Sequence, residues 1–363
     1  MAGLAERTDE LFVIMSRTSG SSRTRTHAGA ALSVLAACGL LAGCGAGDGS
    51  DEGLTDPAAV TTTGATQWEP SLGIPASSPL AGPEPGESKT INLPSGRTFI
   101  LHVPENYDPS RAWPVVLSFH GWGETASQME AYTRFDSSEA IVAYAQGTDK
   151  AWAPAPYAKT SGAEDVAFVQ QIVDSLRATY AVDDERIYAV GMSNGGGFAA
   201  YLACQMPEYF HAVASVSAAY YSKIHDGCKS AAESENEHYG EPLPVGRLDL
   251  HGTDDPIVSY FGGTRHGATY NPVMEVLAMD QKRNQCSDQI STSRLASNSL
   301  LMQWKGCRAP LVHIRIGGGN HVWPGGSYDK SHVLPEGFAT DAVLDFFAIP
   351  GRATGTEDSA NKL

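Results

Sequence analysis

Six residues, Gly191-Met192-Ser193-Asn194-Gly195-Gly196, constrain this chain more than any other stretch. They follow the apolar run Ile187-Tyr188-Ala189-Val190 and lead into Phe198 to Cys204, which reads as a helix. A strand that turns straight into a helix lifts the residue at the turn clear of the sheet, in a strained backbone conformation. A Cβ two positions to either side would collide where strand and helix cross, which accounts for the flanking glycines. An idle serine on a glycine-rich turn has the same short pattern. The reading therefore depends on whether partners for Ser193 follow in a workable order.

The surrounding pattern alternates strand and helix. Thr98 to Val103, Val115 to Phe119 and Ile141 to Ala145 read as strands. Val166, Val169, Ile172, Val173, Leu176 and Tyr180 then recur at helical spacing, after Glu164-Asp165 have placed negative charge at a helix start. Ala212 to Val216, Arg247 to Leu250 and Leu311 to Ile316 supply later strands, and Thr340 to Ala348 closes with an amphipathic helix. This order predicts an α/β fold: a mostly parallel central sheet flanked by helices, with the site at the carboxyl ends of the strands. Residues 89–350 are long enough for a single catalytic domain and too short for two.

The N-terminal region has a different character. Arg17, Arg23, Arg25 and His27 precede an uncharged stretch, Ala28 to Gly43, that is short for a membrane span and suits an export signal. It ends in Leu41-Ala42-Gly43-Cys44, which resembles a bacterial lipobox, so Cys44 is the expected lipidation site, with Cys38 as the alternative. Met1 and Met15 are both candidate starts. Residues 1–43 are then a lipoprotein signal, 44–88 a flexible proline- and glycine-rich tether, and 351–363 a disordered tail. The expected location is the outer face of a bacterial membrane, reached by the lipid anchor alone, or the medium.

The formal charge of −16, with no basic run beyond the signal, excludes a nucleic-acid footprint. No metal or cofactor is called for, and a monomer is expected. Cys204, Cys228, Cys286 and Cys307 remain for the exported domain. Three pairings are open to them; closeness in sequence favours Cys204 with Cys228 and Cys286 with Cys307.

After Ser193, the run Leu248-Asp249-Leu250 ends in His251-Gly252-Thr253-Asp254-Asp255-Pro256-Ile257-Val258. An acid on the loop past a late strand can orient an imidazole; Asp255 is the choice, Asp254 the runner-up, and Asp249 lies in the strand itself. The next strand runs into Gly317-Gly318-Gly319-Asn320-His321-Val322-Trp323-Pro324-Gly325, which makes His321 the candidate base, with His332 as competitor. The order serine, acid, histidine is that of a nucleophile, its orienting acid and its base. Two backbone amides would form an oxyanion hole: Asn194, next to the serine, and Trp122, in the loop Phe119-His120-Gly121-Trp122-Gly123. His120 is expected to brace that loop. His102, His211, His225, His238, His266 and His313 fall outside the order and read as surface or core residues. Trp323 and Trp152 are candidates for lining a substrate pocket, although such residues also fill cores.

FHGWGE, YAVGMSNGGGFAAYLAC, LHGTDDPIV and GGGNHVWPGG, in this order, resemble the polyhydroxybutyrate depolymerase and feruloyl esterase family of α/β-hydrolases, over about residues 90–347. The resemblance implies a serine esterase in which Ser193, Asp255 and His321 are nucleophile, acid and base. It also implies disulfides at Cys204–Cys228 and Cys286–Cys307. The substrate would be a small or oligomeric ester of short-chain, hydroxyalkanoate or feruloyl type, cleaved through an acyl-enzyme. Asn320 stands where the family pattern has glycine, and the loop 147–162 lacks cysteines that some members carry. Two other functions fit the same motifs: a cell-envelope acyltransferase, and a non-catalytic lipid-anchored binding protein on this fold.

Overall fold

The computed structural model describes residues 79–228, 242–331 and 333–351. The signal, Cys38, Cys44, His238, His332 and residues 352–363 lie outside the described residues, as does the tether up to residue 78.

One ten-stranded sheet organises the domain. Its six central strands are β3 (Trp113–Phe119), β4 (Ile141–Ala145), β5 (Val182–Met192), β6 (Ala212–Val216), β7 (Gly246–Gly252) and β12 (Leu311–Ile316), all parallel in the order β4-β3-β5-β6-β7-β12. Antiparallel strands extend both edges: β1 (Ser88–Asn92) and β2 (Thr98–His102) beyond β4, and β11 (Ser299–Trp304) and β10 (Ile290–Ala296) beyond β12. A separate hairpin, β8 (Gly263–Arg265) with β9 (Ala268–Tyr270), stands outside this sheet.

Helices cover both faces, so every residue of β3, β4, β6 and β7 is buried. Leu117 and Phe119 point into a core with Phe168, Val169 and Ile172 of α2 (Gly162–Arg177) and Phe198 and Leu202 of α3 (Asn194–Gln205). Val116 faces the other way, into a core with Met129 of α1 (Ala126–Thr133) and Val343 of α5 (Phe338–Phe346). A fifth helix, α4 (Val273–Arg283), packs Val273, Val276 and Leu277 in a smaller cluster with Tyr220 and Trp304. Ser161 and Glu164 form a capping box that starts α2. The helix stops at Arg177, and Tyr180, predicted to continue its stripe, packs edge-on against Tyr107.

Residues 79–88, assigned to the tether on sequence grounds, pack on the domain. The Leu80 N–H donates to Thr179 Oγ1 at 2.8 Å and its side chain lies against the first core. At the other end Gly351 bridges to Ser138. Cys204 is bonded to Cys228 and Cys286 to Cys307. These pairs fit a protein that folds outside the reducing cytosol. Among the described residues no helix is long and apolar enough to cross a membrane.

The strand-to-helix elbow forms as the glycines require. Ser193 sits at φ 54°, ψ −117° between β5 and α3. Its N–H donates to the Val216 carbonyl and its carbonyl accepts from the Ala219 N–H, both at 2.9 Å. A Cβ on Gly191 would lie 2.2 Å from the Gly195 carbonyl, and one on Gly195 would lie 2.1 Å from the Phe119 oxygen. Backbone occupies both spaces and cannot swing aside. Gly195→Ala is therefore expected to lower unfolding stability by about 1–3 kcal/mol, the range for forced overpacking. Denaturant unfolding of the variant beside the wild type checks this.

Candidate active site

Three loops at the carboxyl ends of β5, β7 and β12 bring Ser193, Asp255 and His321 together. The Ser193 hydroxyl lies 2.9 Å from His321 Nε2, and His321 Nδ1 lies 2.7 Å from Asp255 Oδ2. Asp254, the alternative acid, is exposed and takes a hydrogen bond from the neighbouring Thr253 hydroxyl. Gly319, in the loop before His321, is pressed against Gly252 at the end of β7: a Cβ on Gly252 would meet the Gly319 oxygen at 2.1 Å. The glycines thus let the acid loop and the histidine loop touch backbone to backbone.

The Asp255 carboxylate is buried and fully engaged. Oδ1 accepts from the Ile257 and Val258 amides at 2.8 Å each, while Oδ2 faces His321 and, at 3.4 Å, His251 Nε2. Burial alone would raise its pKa. The hydrogen bonds from His251, His321 and Val258 outweigh burial and hold it well below 3.8. His251 is itself fully buried, with Nε2 2.9 Å from the Val258 carbonyl.

The loop after β3 runs beside the serine, since a Cβ on Gly121 would lie 3.5 Å from Ser193 Cβ. The Gly121 N–H donates to Glu124 Oε2 and the Gly123 N–H to the Lys150 carbonyl, each at 2.9 Å. The Trp122 amide lies between these two tied positions. His120 is buried beneath the loop, and burial lowers its pKa to about 4. It is a neutral brace: Nδ1–H donates to the Gly121 carbonyl at 2.8 Å while Nε2 accepts from the Gly147 N–H at 3.0 Å.

Two hollows flank the Ser193–His321 pair. One, of about 200 Å³, is lined by Trp122, Tyr157, Tyr221, Ile257, Arg265 and His266 among others. The other, of about 280 Å³, is lined by Glu124, Gln128, Tyr132, Val322, Trp323 and Tyr328. Trp152, predicted as a substrate contact, borders neither. Its ring is fully buried, stacks on Phe198 at 5.0 Å and donates to the His120 carbonyl. Its backbone N–H and carbonyl are both held by the Asn194 side-chain amide, at 2.8 and 2.9 Å. Trp152 therefore braces the elbow and is screened from both hollows. Trp323 borders the second hollow but is 97% buried, with Nε1 donating to Thr340 Oγ1.

Several contributors were not found from sequence. Glu124 lies in the quoted FHGWGE block and His251 in LHGTDDPIV, yet nothing in a linear pattern says that their side chains reach the loop amide and the acid. His266, read as a surface or core histidine, is indeed exposed; at the tip of the β8–β9 hairpin it packs on Trp122 and Tyr157, with ring centroids 4.7 and 4.9 Å away. No cluster of three or more His, Cys, Asp or Glu side chains suited to a metal occurs among the described residues.

A lowered carboxylate pKa has a sign that can be tested. The stability contributed by ionised Asp255 is present above 3.8 and is lost as pH falls through its depressed native value. Wild-type stability measured against Asp255→Asn, which cannot titrate, should therefore decline below about pH 4. Parallel denaturant titrations from neutral to acid pH check this.

The esterase family profile, described as "Putative esterase", matches residues 90–291, more than half of the chain. Feruloyl esterase C of Emericella nidulans is 27% identical over 276 residues, covering 75% of this chain and 91% of that protein. Feruloyl esterase B of Piromyces equi is 27% identical over 243 residues, covering 62% and 42%. Among solved structures, acetyl xylan esterase from Aspergillus awamori shares the fold, with a TM-score of 0.51 and 16% identity over 72% of this chain and 99% of that one. The chain belongs to the esterase family, and it is a carboxylic-ester hydrolase with the α/β-hydrolase fold.

Proposed function

We propose that the chain hydrolyses esters by a serine mechanism through a covalent acyl-enzyme. The unbroken hydrogen-bonded run from Ser193 through His321 to Asp255, at 2.9 and 2.7 Å, carries this reading. Ser193 Oγ attacks the ester carbonyl as His321 Nε2 takes its proton. Asp255 holds Nδ1–H, fixing the tautomer that leaves Nε2 free to accept and stabilising the imidazolium that forms. The Asn194 and Trp122 amides receive the developing oxyanion. Asn194 is suited to this as the first residue of α3, beside the serine, and each such donor is worth about 3–4 kcal/mol in the transition state. The imidazolium then protonates the departing alcohol. A water, deprotonated by the same nitrogen, attacks the acyl-enzyme and releases the acid.

The first hollow is small against the ~300–1,000 Å³ of ordinary ligand pockets, which favours a compact acid half. The relatives named feruloyl esterases make hydroxycinnamoyl esters one class to assay, beside short-chain esters. Export with a lipid anchor at Cys44 belongs to the same reading, and the two disulfides support its first part.

Ser193→Ala should lower ester turnover by about 10⁴-fold or more while leaving the unfolding transition in place. Asp255→Asn should cost a similar factor, because the wrong imidazole tautomer then faces the serine. A fluorophosphonate probe should label wild type at Ser193 and leave Ser193→Ala untouched. Retained turnover in Ser193→Ala would end the serine reading. Acyl-alcohol product in preference to free acid, when an alcohol acceptor is added, would replace hydrolysis with transfer.

A further inference from the structure

The first hollow contains a cation that the chemistry above leaves unused. Arg265 ends β8 and lines the same cleft as Ser193 and His321. Among the described residues no carboxylate comes within ion-pair distance of it. Its hydrogen bonds run to His266 Nε2, 3.3 Å from Nε, and to the Ile257 carbonyl, 3.5 Å from Nη1. The long second contact is weak.

Its surroundings sharpen the point. Trp122, Tyr157 and His266 contact one another with ring centroids 4.7 to 4.9 Å apart, forming an aromatic wall to the cleft. The Tyr157 and Tyr221 rings meet edge to face at 6.0 Å, and the positive charge of Arg265 acts on both hydroxyls. Apolar rings around a guanidinium thin its hydration and strengthen its attraction for an anion. The carboxylate that shares the cleft, Glu124, is drawn away: Oε2 takes the Gly121 amide and the Tyr132 hydroxyl, on the border with the second hollow.

Resting on the esterase reading, we infer that Arg265 selects acyl groups whose far end bears a carboxylate, that is, half-esters of short dicarboxylic acids. The ester carbonyl sits at Ser193 with its acyl chain along the aromatic wall, and the distal carboxylate pairs with the guanidinium. A planar fork of N–H donors matches a carboxylate in two parallel bonds, which a neutral chain end cannot make. A neutral acyl end would instead displace water from the guanidinium and return at most one uncharged acceptor. The hairpin that carries Arg265 lies outside the central sheet, so this preference is set by an element separate from the catalytic loops.

The test compares monoethyl glutarate with the ethyl ester of glutaramic acid, which has the same shape and no charge. The ratio of their kcat/KM values, read within each protein, cancels any change in folded fraction. Wild type should favour the anionic ester by about tenfold or more. The ratio should fall to about one in Arg265→Gln and below one in Arg265→Glu, and Arg265→Lys should keep part of it. A wild-type ratio near one, with both esters turned over, overturns the role of Arg265 and leaves the esterase reading standing. A large ratio that survives in Arg265→Gln overturns it equally. No turnover of either ester, nor of any neutral short-chain ester, overturns both.

Discussion

The first turn of α3 rests on the end of β3 with no side chain between them. Where Gly195 meets the Phe119 carbonyl, a single added carbon would have to occupy backbone. This contact fixes more than the strained serine. It sets Ser193 beside the loop that follows β3, so the serine hydroxyl and the amide of Trp122 are placed by one crossing. The Asn194 side chain reinforces it by gripping the Trp152 backbone at two points. A slip of the helix along the sheet would have to break these bonds together.

The strands that stand out most plainly in the sequence are those buried on both faces. Strands such as Ile141–Ala145 and Ala212–Val216 are covered on both faces, so they appear as unbroken apolar runs with clear limits. The edge hairpin β10–β11 shows no such run. Ile290–Ala296 is largely exposed and rich in serine and threonine, and it is a strand only because β11 pairs with it. The short β8–β9 hairpin was missed for the same reason, and with it went the position of His266 and Arg265.

At the site, spacing and order picked out three loop residues whose side chains the fold joins by hydrogen bonds. Spacing and order did not suffice for side chains whose role depends on direction. Trp152 shows the difference: its loop does approach the elbow, but the ring turns inward to stack on Phe198 and so cannot meet a ligand. Glu124 is the converse. Its place three residues past Gly121 looks like an ordinary surface acid, and only the fold shows it holding the Gly121 amide. Linear patterns record where the backbone goes, and the χ angles that decide these two cases leave no trace in them.

Because a separate hollow lies on each side of the Ser193–His321 pair, the two products need not leave by one exit. His321 borders both hollows, so it can be reached from the Tyr132 side while the Arg265 side is filled. Filling one side of the cleft therefore does not seal the histidine off from the other.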